Sequence, residues 1–204
     1  MTEIDRPGMP EDGVLRMRQE IERAAKVVRQ GGIVLYPTDT VWGIGCDATN
    51  PEAVARVYQL KRRADHKAMI VLVDSAAMVE RYADGVPEVA YELIEVTDRP
   101  LTLVYDRGVG LAENLLGPDG SVGIRVTSEE FSQGLCRRLH RPLVSTSANI
   151  SGEPAARCFA DISEEVRRGV DYIVDWRRDE LPGARQPSSV MRITASGEFK
   201  VLRK

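Results

Sequence analysis

The chain has 204 residues, of which 43% are hydrophobic, and its formal net charge is −3 at pH 7. This length and hydrophobic content are typical of a globular protein with one core, and they exclude an intrinsically disordered chain. The negative net charge argues against a protein held to nucleic acid by its total charge, but it does not exclude a local basic cleft. We predict a polar arm over residues 1–12 and a single domain over residues 13–204.

The sequence carries no signal for a membrane span or a metal site. No stretch approaches the roughly 18 consecutive apolar residues that a membrane helix needs, and the polar N-terminus has no apolar signal region behind it. We therefore expect a cytoplasmic protein. Cys46, Cys136 and Cys158 lie far apart without a C-x-x-C pair, which predicts buried free thiols and neither a zinc site nor a disulfide.

Apolar periodicity and capping patterns predict alternating helices and strands. Helices are predicted over residues 14–30, 51–63, 75–83, 87–96 and 128–139, with a short one capped by Asp161. Strands are predicted over residues 33–36, 69–73, 101–105, 122–126, 142–145, 172–174, 189–194 and 198–203. Because hairpin-like neighbours occur among the alternating elements, we expect an α/β fold whose mixed, twisted sheet is flanked by helices.

The helix that begins near residue 51 has the clearest boundary. Asn50 supplies a capping amide, Pro51 suits the first helical position, and Glu52 places an acid in the first turn. This start argues against a dinucleotide-binding fingerprint at residues 43–48, which are Gly-Ile-Gly-Cys-Asp-Ala. That fingerprint requires the helix to begin on its glycines, whereas the capping signals lie after them.

Four polar clusters lie where predicted elements begin or end, which is where α/β proteins place their sites. The first, at residues 36–45, follows a buried strand and contains Thr38, Asp39 and Thr40 beside glycines that let backbone approach a ligand. The alternative interpretation is a turn whose side chains satisfy local amides.

The second cluster is Lys61-Arg62-Arg63 at the end of a predicted helix, with Lys67 shortly after it. One interpretation is a solvated helix end, where cations are favoured. The other is polyphosphate binding, in which Lys61 and Arg63 reach phosphate oxygens from a common loop. The chain has no G-x-x-x-x-G-K-[ST] loop, so a nucleotide would be bound by side chains and scattered amides.

The third cluster, at residues 145–152, follows an apolar strand and has five side chains that donate or accept hydrogen bonds. Its small residues leave room for a ligand, but a Ser- and Asn-rich loop is also a common surface feature. No usable histidine accompanies a G-x-S-x-G segment, which excludes a serine hydrolase.

The fourth cluster is Gly123-Ile124-Arg125-Val126. Arg125 lies within an apolar strand, where a lone charge is costly unless it is paired or faces a cleft. A buried ion pair with an acidic residue is one interpretation, and a carboxylate or phosphate ligand is the other.

In this order and spacing, the clusters resemble the YrdC/Sua5 family of threonylcarbamoyladenylate synthases. The resemblance covers roughly residues 15–203, and its most specific part is the Lys-x-Arg and Ser-x-Asn pair. The matching segments are P-T-D-T-V-W-G-I-G at 37–45, K-x-R at 61–63, G-I-R at 123–125, S-T-S-A-N-I-S-G-E-P at 145–154 and Ser188-Ser189-Val190. The resemblance implies one YrdC-like catalytic domain with an open α/β fold and a basic concave face.

The resemblance also implies a reaction, in which L-threonine, bicarbonate and ATP give threonylcarbamoyl-AMP and pyrophosphate, with Mg²⁺ on the polyphosphate. A downstream complex would transfer the threonylcarbamoyl group to adenosine 37 of tRNA, and tRNA or double-stranded RNA would be bound weakly. No protein-bound metal and no membrane partner are implied. Lys61 and Arg63 match catalytic positions. Arg63, Lys67, Ser121, Asn149, Arg157 and Arg203 match ATP contacts, and Thr40, Arg125, Ser147 and Ser188 match threonine contacts.

Two alternatives stay open at this point. The first is a non-catalytic RNA-binding module, for which an aromatic content of 5% would leave few stacking platforms. The second is a related carbamoyl- or nucleotidyl-transferase with another acceptor. The chain also departs from many members of the family at Leu72, where they carry a histidine.

Overall fold

The computed structural model describes residues 11–63, 69–181 and 187–204, and within them nine strands form one mixed sheet. The strands are β1 (Val34–Tyr36), β2 (Gly43–Gly45), β3 (Ile70–Val73), β4 (Leu101–Tyr105), β5 (Val122–Val126), β6 (Leu143–Ser147), β7 (Tyr172–Ile173), β8 (Ser189–Ile193) and β9 (Phe199–Arg203). The helices are α1 (Glu11–Arg29), α2 (Pro51–Lys61), α3 (Ala76–Val79), α4 (Glu88–Val96), α5 (Glu130–Leu139) and α6 (Glu164–Gly169).

The strand order is β7-β1-β2-β6-β3-β5-β4-β8-β9. Parallel and antiparallel neighbours occur side by side: β3 runs parallel to β5 and antiparallel to β6, and β4 runs antiparallel to β5 and parallel to β8. The predicted mixed sheet flanked by helices is therefore confirmed.

The two faces of the sheet are covered unequally. One face forms the larger core, where Val57 of α2 is buried together with Val71 of β3 and Val144 of β6. The other face carries Leu72 and Leu143, which belong to a second core beneath α1 and α5. These two helices cover only part of that face, and the candidate site lies on the uncovered part.

Helix α2 confirms the predicted start. Asn50 Oδ1 accepts hydrogen bonds from the backbone N–H groups of Glu52 and Ala53 at 3.0 and 3.1 Å, and Pro51 is the first helical residue. The helix thus begins after the glycines at 43 and 45, which supports the rejection of a dinucleotide fingerprint.

Strand β2 was not among the predicted elements. Glycine has a low strand propensity, but β1 on one side and β6 on the other supply the backbone pairing that makes Gly43–Gly45 a strand. Gly45 is required there because a Cβ atom would lie 2.7 Å from Cε1 of Tyr36.

The cap predicted at Asp161 is wrong. Asp161 ends a 3-10 turn at Phe159–Asp161, and the cap of α6 is Ser163, whose Oγ accepts from the N–H of Val166 at 3.4 Å. The helix predicted over 75–83 is also shorter than expected, since α3 ends at Val79.

The prediction of buried free thiols is confirmed, because Cys46, Cys136 and Cys158 are all buried and none of them forms a disulfide. In the described part of the chain, no helix has both the length and the apolar character needed to cross a membrane. Within the same residues, no group of three or more histidine, cysteine or acidic side chains could hold a metal ion.

Candidate active site

A cavity of about 250 Å³ opens on the uncovered part of the sheet. Ile70 of β3, Arg125 of β5 and Ser145 of β6 line it from neighbouring strands. Its lining includes three arginines and six hydroxyl side chains, and no carboxylate among the described residues. Guanidinium groups and hydroxyls in this proportion favour an anionic ligand with further hydrogen-bonding groups.

Six of the predicted site residues line this cavity, and they come from separate segments of the chain. The six are Thr40, Arg63, Arg125, Ser147, Ser188 and Arg203. All four predicted threonine contacts are among them. The resemblance implied that these segments would lie together, and all of them contribute to this cavity.

Arg125 is a buried charge that lines the cavity, with a side chain that is 2% exposed. Its Nη2 lies 3.0 Å from Oδ1 of Asp39, which confirms the interpretation as a buried ion pair, while a carboxylate or phosphate ligand on Arg125 stays a prediction. Burial raises the pKa of Asp39, and the charge of Arg125 opposes that shift. Arg125 Nε is buried without a hydrogen-bond partner among the described residues, whereas the residue as a whole lines the cavity.

The turn that carries Thr40 is held by its own side chains. Thr38 Oγ1 donates to the carbonyl of Val41 at 2.7 Å and accepts from the N–H of Thr40 at 3.1 Å. A Cβ atom at Gly43 would lie 3.1 Å from Cγ2 of Thr38, so glycine at that position lets the turn fold closely onto β2. Thr38 and Thr40 consequently both line the cavity.

Lys61 lies behind the cavity wall. Its side chain is buried, and Nζ donates to the carbonyls of Ser147 and Asn149 at 2.5 and 2.6 Å. Burial, and then the charge of Arg63, lower the pKa of Lys61 to about 8. The ammonium group ties the end of α2 to the residues after β6, so the Lys-x-Arg and Ser-x-Asn segments are adjacent in space.

Two further arginines complete the lining. Arg63 follows α2, whose C-cap is Arg62 with a left-handed φ of 50°. Arg203 donates from Nε and Nη2 to the carbonyl of Ser188 at 3.1 and 2.8 Å. Ser188 Oγ in turn lies 2.8 Å from Oγ1 of Thr102, so β4 and β9 together fix its position.

Ser121 and Asn149 do not line the cavity. Ser121 precedes β5, and its Oγ donates to Oδ1 of Asp119 at 2.5 Å. Asn149 Nδ2 donates to the carbonyls of Ile150 and Glu153 at 2.9 and 2.7 Å, while its Oδ1 is buried without a partner in the described part of the chain. Both side chains are engaged in hydrogen bonds within their own loops.

Arg157 lies at a smaller depression, which shares Thr38, Thr40 and Val41 with the cavity. Its side chain is 75% exposed, and Nε lies 3.4 Å from Oδ2 of Asp161. Lys67 falls outside the described residues.

The site also contains residues that were not among the predicted site residues, such as Asp39, Ile70 and Ser145. Asp39 neutralises Arg125, while Ile70 and Ser145 line the cavity from neighbouring strands. The signal for Asp39 was present, because an arginine within an apolar strand requires an acidic partner and the first polar cluster contains one. Nothing in the sequence marks Ile70, since its neighbours make it an ordinary strand residue.

A family model described as "Telomere recombination", which covers Sua5, YciO and YrdC proteins, matches residues 26–204. The chain belongs to the Sua5/YciO/YrdC family. Threonylcarbamoyl-AMP synthase of Stutzerimonas stutzeri (strain A1501) is 36% identical over 179 residues, which are 87% of this chain and 94% of that protein. The protein of the same name from Pseudomonas aeruginosa (strain UCBPP-PA14) is 37% identical over 168 residues, which are 82% of this chain and 89% of that one.

Solved structures of the Sua5/YciO/YrdC family share the fold. P. abyssi Sua5 complexed with L-threonine has a TM-score of 0.79 at 28% identity, and the match covers 86% of this chain and 51% of that one. This chain therefore spans about half the length of that Sua5. E. coli YciO has a TM-score of 0.78 at 24% identity, covers 92% of this chain and 89% of its own, and supports the fold alone. The resemblance seen in the motifs is confirmed, and with it the assignment of the chain as an enzyme of the transferase class.

Proposed function

We propose that this chain is an L-threonylcarbamoyladenylate synthase, a nucleotidyltransferase that converts L-threonine, bicarbonate and ATP to threonylcarbamoyl-AMP and pyrophosphate. The observation that carries the proposal is the convergence of Arg125, Ser147 and Ser188 with Arg63 and Arg203 on one cavity. Relatives named for this activity support it, as does a Sua5 that binds L-threonine.

The amino acid would bind on the side of the cavity that contains Arg125. Asp39 pairs with Nη2 of Arg125, and because Arg125 lines the cavity, its guanidinium group would also meet the carboxylate of the substrate. The hydroxyls of Thr40, Ser147 and Ser188 can meet the amine and hydroxyl of threonine, since each hydroxyl both donates and accepts.

ATP would bind toward Arg63 and Arg203, and we propose Lys67, Ser121, Asn149 and Arg157 as further contacts. The described lining of the cavity has no carboxylate, and the described residues hold no metal-ligating cluster. Mg²⁺ would therefore enter on the polyphosphate and not on protein ligands, as is common where nucleotides bring their own metal.

The reaction needs no protein nucleophile. The amine of threonine attacks the carbon of bicarbonate and water leaves, or it attacks CO₂ and the nitrogen loses a proton, and either route gives a carbamate. A carbamate oxygen then attacks the α-phosphorus of ATP while the bond to the bridging oxygen of the β-phosphate breaks, and pyrophosphate leaves. Arg63 would stabilise the charge that develops on the phosphate oxygens, and Lys61 would hold the loop that contains Ser147.

The product is an activated acyl group, so a transfer reaction must consume it. We propose that a downstream complex transfers the threonylcarbamoyl group to adenosine 37 of tRNA. Weak binding of tRNA or double-stranded RNA would fit this order of reactions. The absence of a membrane partner stays a prediction, as does a cytoplasmic location.

The test is to incubate the protein with ATP, Mg²⁺, bicarbonate and single amino acids, and to measure pyrophosphate. We expect release that depends on both L-threonine and bicarbonate. Release with a different amino acid would instead indicate a related transferase with another acceptor. Salt-sensitive RNA binding without any turnover would indicate a non-catalytic RNA-binding module.

A further inference from the structure

Arg177 is an arginine outside the cavity to which the proposed function gives no role. It follows β7 in the chain, and its side chain is only 14% exposed. Nη1 lies 2.9 Å from Oε1 of Glu129, while Nε and Nη2 bind the carboxylate of Glu180 at 2.6 and 2.8 Å. One guanidinium group therefore joins segments that are far apart in sequence.

The same side chain contacts the cavity wall from behind. Arg177 Nη1 donates to the carbonyl of Thr38 at 3.4 Å. Thr38 begins the turn that carries Thr40, and both residues line the cavity. Burial raises the pKa of Asp39, and the charge of Arg177 opposes that rise with a smaller effect than the charge of Arg125, so Arg177 acts on the same ion pair.

Glu129 is a fixed anchor for this contact. Its side chain is 12% exposed, and its Oε2 accepts from the N–H of Ser132 at 2.7 Å as the N-cap of α5. Helix α5 packs on the covered half of the sheet face. Arg177 thus connects the start of α5, which covers one part of the sheet face, to the turn that lines the cavity on the uncovered part.

The backbone of Arg177 supports a specific role. Its φ is 60°, a conformation that residues other than glycine rarely adopt. Such a residue persists only when its surroundings over-determine it, and here two carboxylates and a carbonyl bind one side chain.

We propose that Arg177 is a positioning residue, which fixes the turn at residues 38–40 against α5 and so sets the affinity for the amino acid. The inference rests on the proposed function, because it concerns the same cavity. It extends that function by identifying a residue that touches no substrate and determines where Thr40 lies.

The experiment measures the KM values for threonine and ATP in Arg177→Ala. We expect kcat/KM for threonine to fall by about 10- to 100-fold, because a displacement of about 1 Å in a substrate-positioning group has effects of this size. The KM for ATP should change by less than about twofold, since Arg63 follows α2 and Arg203 is held by the carbonyl of Ser188. Arg177→Lys should restore part of the loss, because a lysine keeps the charge beside Glu129 but lacks the planar fork.

Arg168→Ala is the matched control. Arg168 is an arginine of α6 whose Nε lies 2.9 Å from Oε1 of Glu164, and its side chain is 79% exposed, so both KM values should stay at the wild-type level. The proposal is overturned if folded Arg177→Ala keeps the wild-type KM for threonine, if both KM values rise equally, or if Arg168→Ala has the same effect.

Two further measurements keep the test decisive. If Arg177→Ala does not fold, Arg177→Lys and Glu129→Gln must both raise the KM for threonine selectively, and the proposal fails if they do not. Wild-type protein without threonine-dependent pyrophosphate release would overturn the proposed function itself, and this inference with it. Threonine-dependent pyrophosphate release by the wild type is therefore measured before any variant is compared.

Discussion

One face of the sheet has a part covered by α1 and α5 and a part that opens on the cavity, here called the covered half and the open half. The two halves differ in chemistry although the same strands supply both. Under α1 and α5, β3 and β6 present Leu72 and Leu143, which are register partners in the second core. Two residues away on each strand, Ile70 and Ser145 are again register partners, and both line the cavity. Because residues i and i+2 share a face, a step of two residues along a strand leads from core to site.

Arg125 lies at the boundary between the halves. It is the register partner of Leu72 on β5, and yet it lines the cavity. A guanidinium group can border an apolar core only with a partner, and Asp39 provides one at 3.0 Å. The site is therefore formed where α1 and α5 leave the sheet face uncovered, and a paired charge lies at that boundary.

The largest expected effect concerns a cation of the open half. In Arg63→Ala the rate of threonine-dependent pyrophosphate release should fall by about 10²- to 10³-fold, the usual result of removing one donor to developing charge. Arg62→Ala is the matched control, since Arg62 pairs with Glu165 and its side chain is 68% exposed. Equal losses in the two variants would mean that the open half does not bind the reacting phosphate through Arg63.

Substitutions at the boundary should separate stability from substrate binding. Leu72→Ala should lower the free energy of unfolding by about 2–5 kcal/mol, because it leaves a cavity in the second core, with the KM for threonine unchanged. Arg125→Met should also lower stability, because it leaves the buried carboxylate of Asp39 without its partner. It should in addition raise the KM for threonine at least about 10-fold, since it removes a charged contact to the substrate carboxylate. Denaturant unfolding and steady-state kinetics on both variants check this, and the contrast between the halves fails if both lose stability and neither loses affinity.

The pKa of Lys61 gives a prediction for stability against pH. Its ordinary value of 10.5 falls to about 8 in the folded protein, so between these values the unfolded chain holds a proton that the folded chain has released. Stability should therefore rise with pH across this interval, by about 2–3 kcal/mol relative to Lys61→Met. Unfolding free energies of both proteins between about pH 7 and pH 10.5 test this, and a difference that stays flat would contradict a depressed pKa.

The sequence predicted elements whose signals are local. The bounds of β4 and β5 agree with the predicted strands at 101–105 and 122–126, and the start of α2 was predicted from Asn50, Pro51 and Glu52. Six of the site residues named from the resemblance line one cavity, and their roles stay predictions.

What the sequence could not predict depends on distant partners. Strand β2 exists because β1 and β6 flank it, and its own composition argues against a strand. The burial of Lys61 follows from carbonyls at Ser147 and Asn149, which are 86 and 88 residues away. Arg177 belongs to no motif, and only folding brings it to Glu129 and Thr38.

The smallest expected effects concern helix caps far from either half. Asn50→Ala should lower the free energy of unfolding by about 1 kcal/mol, since it removes the acceptor for two backbone N–H groups. Ser163→Ala should also cost about 0.5–1 kcal/mol, and the effect of Asp161→Ala should be smaller than that of Ser163→Ala. Denaturant unfolding of the three variants decides between the observed cap and the one first predicted.

Identification of the product tests the proposed synthase activity most directly. The protein would be incubated with ATP, Mg²⁺, L-threonine and carbon-13 bicarbonate, and the nucleotides analysed by mass spectrometry. We expect an adenylate that contains both threonine and one labelled carbon, formed together with pyrophosphate. An adenylate of threonine without the label, or AMP and ADP alone, would contradict it.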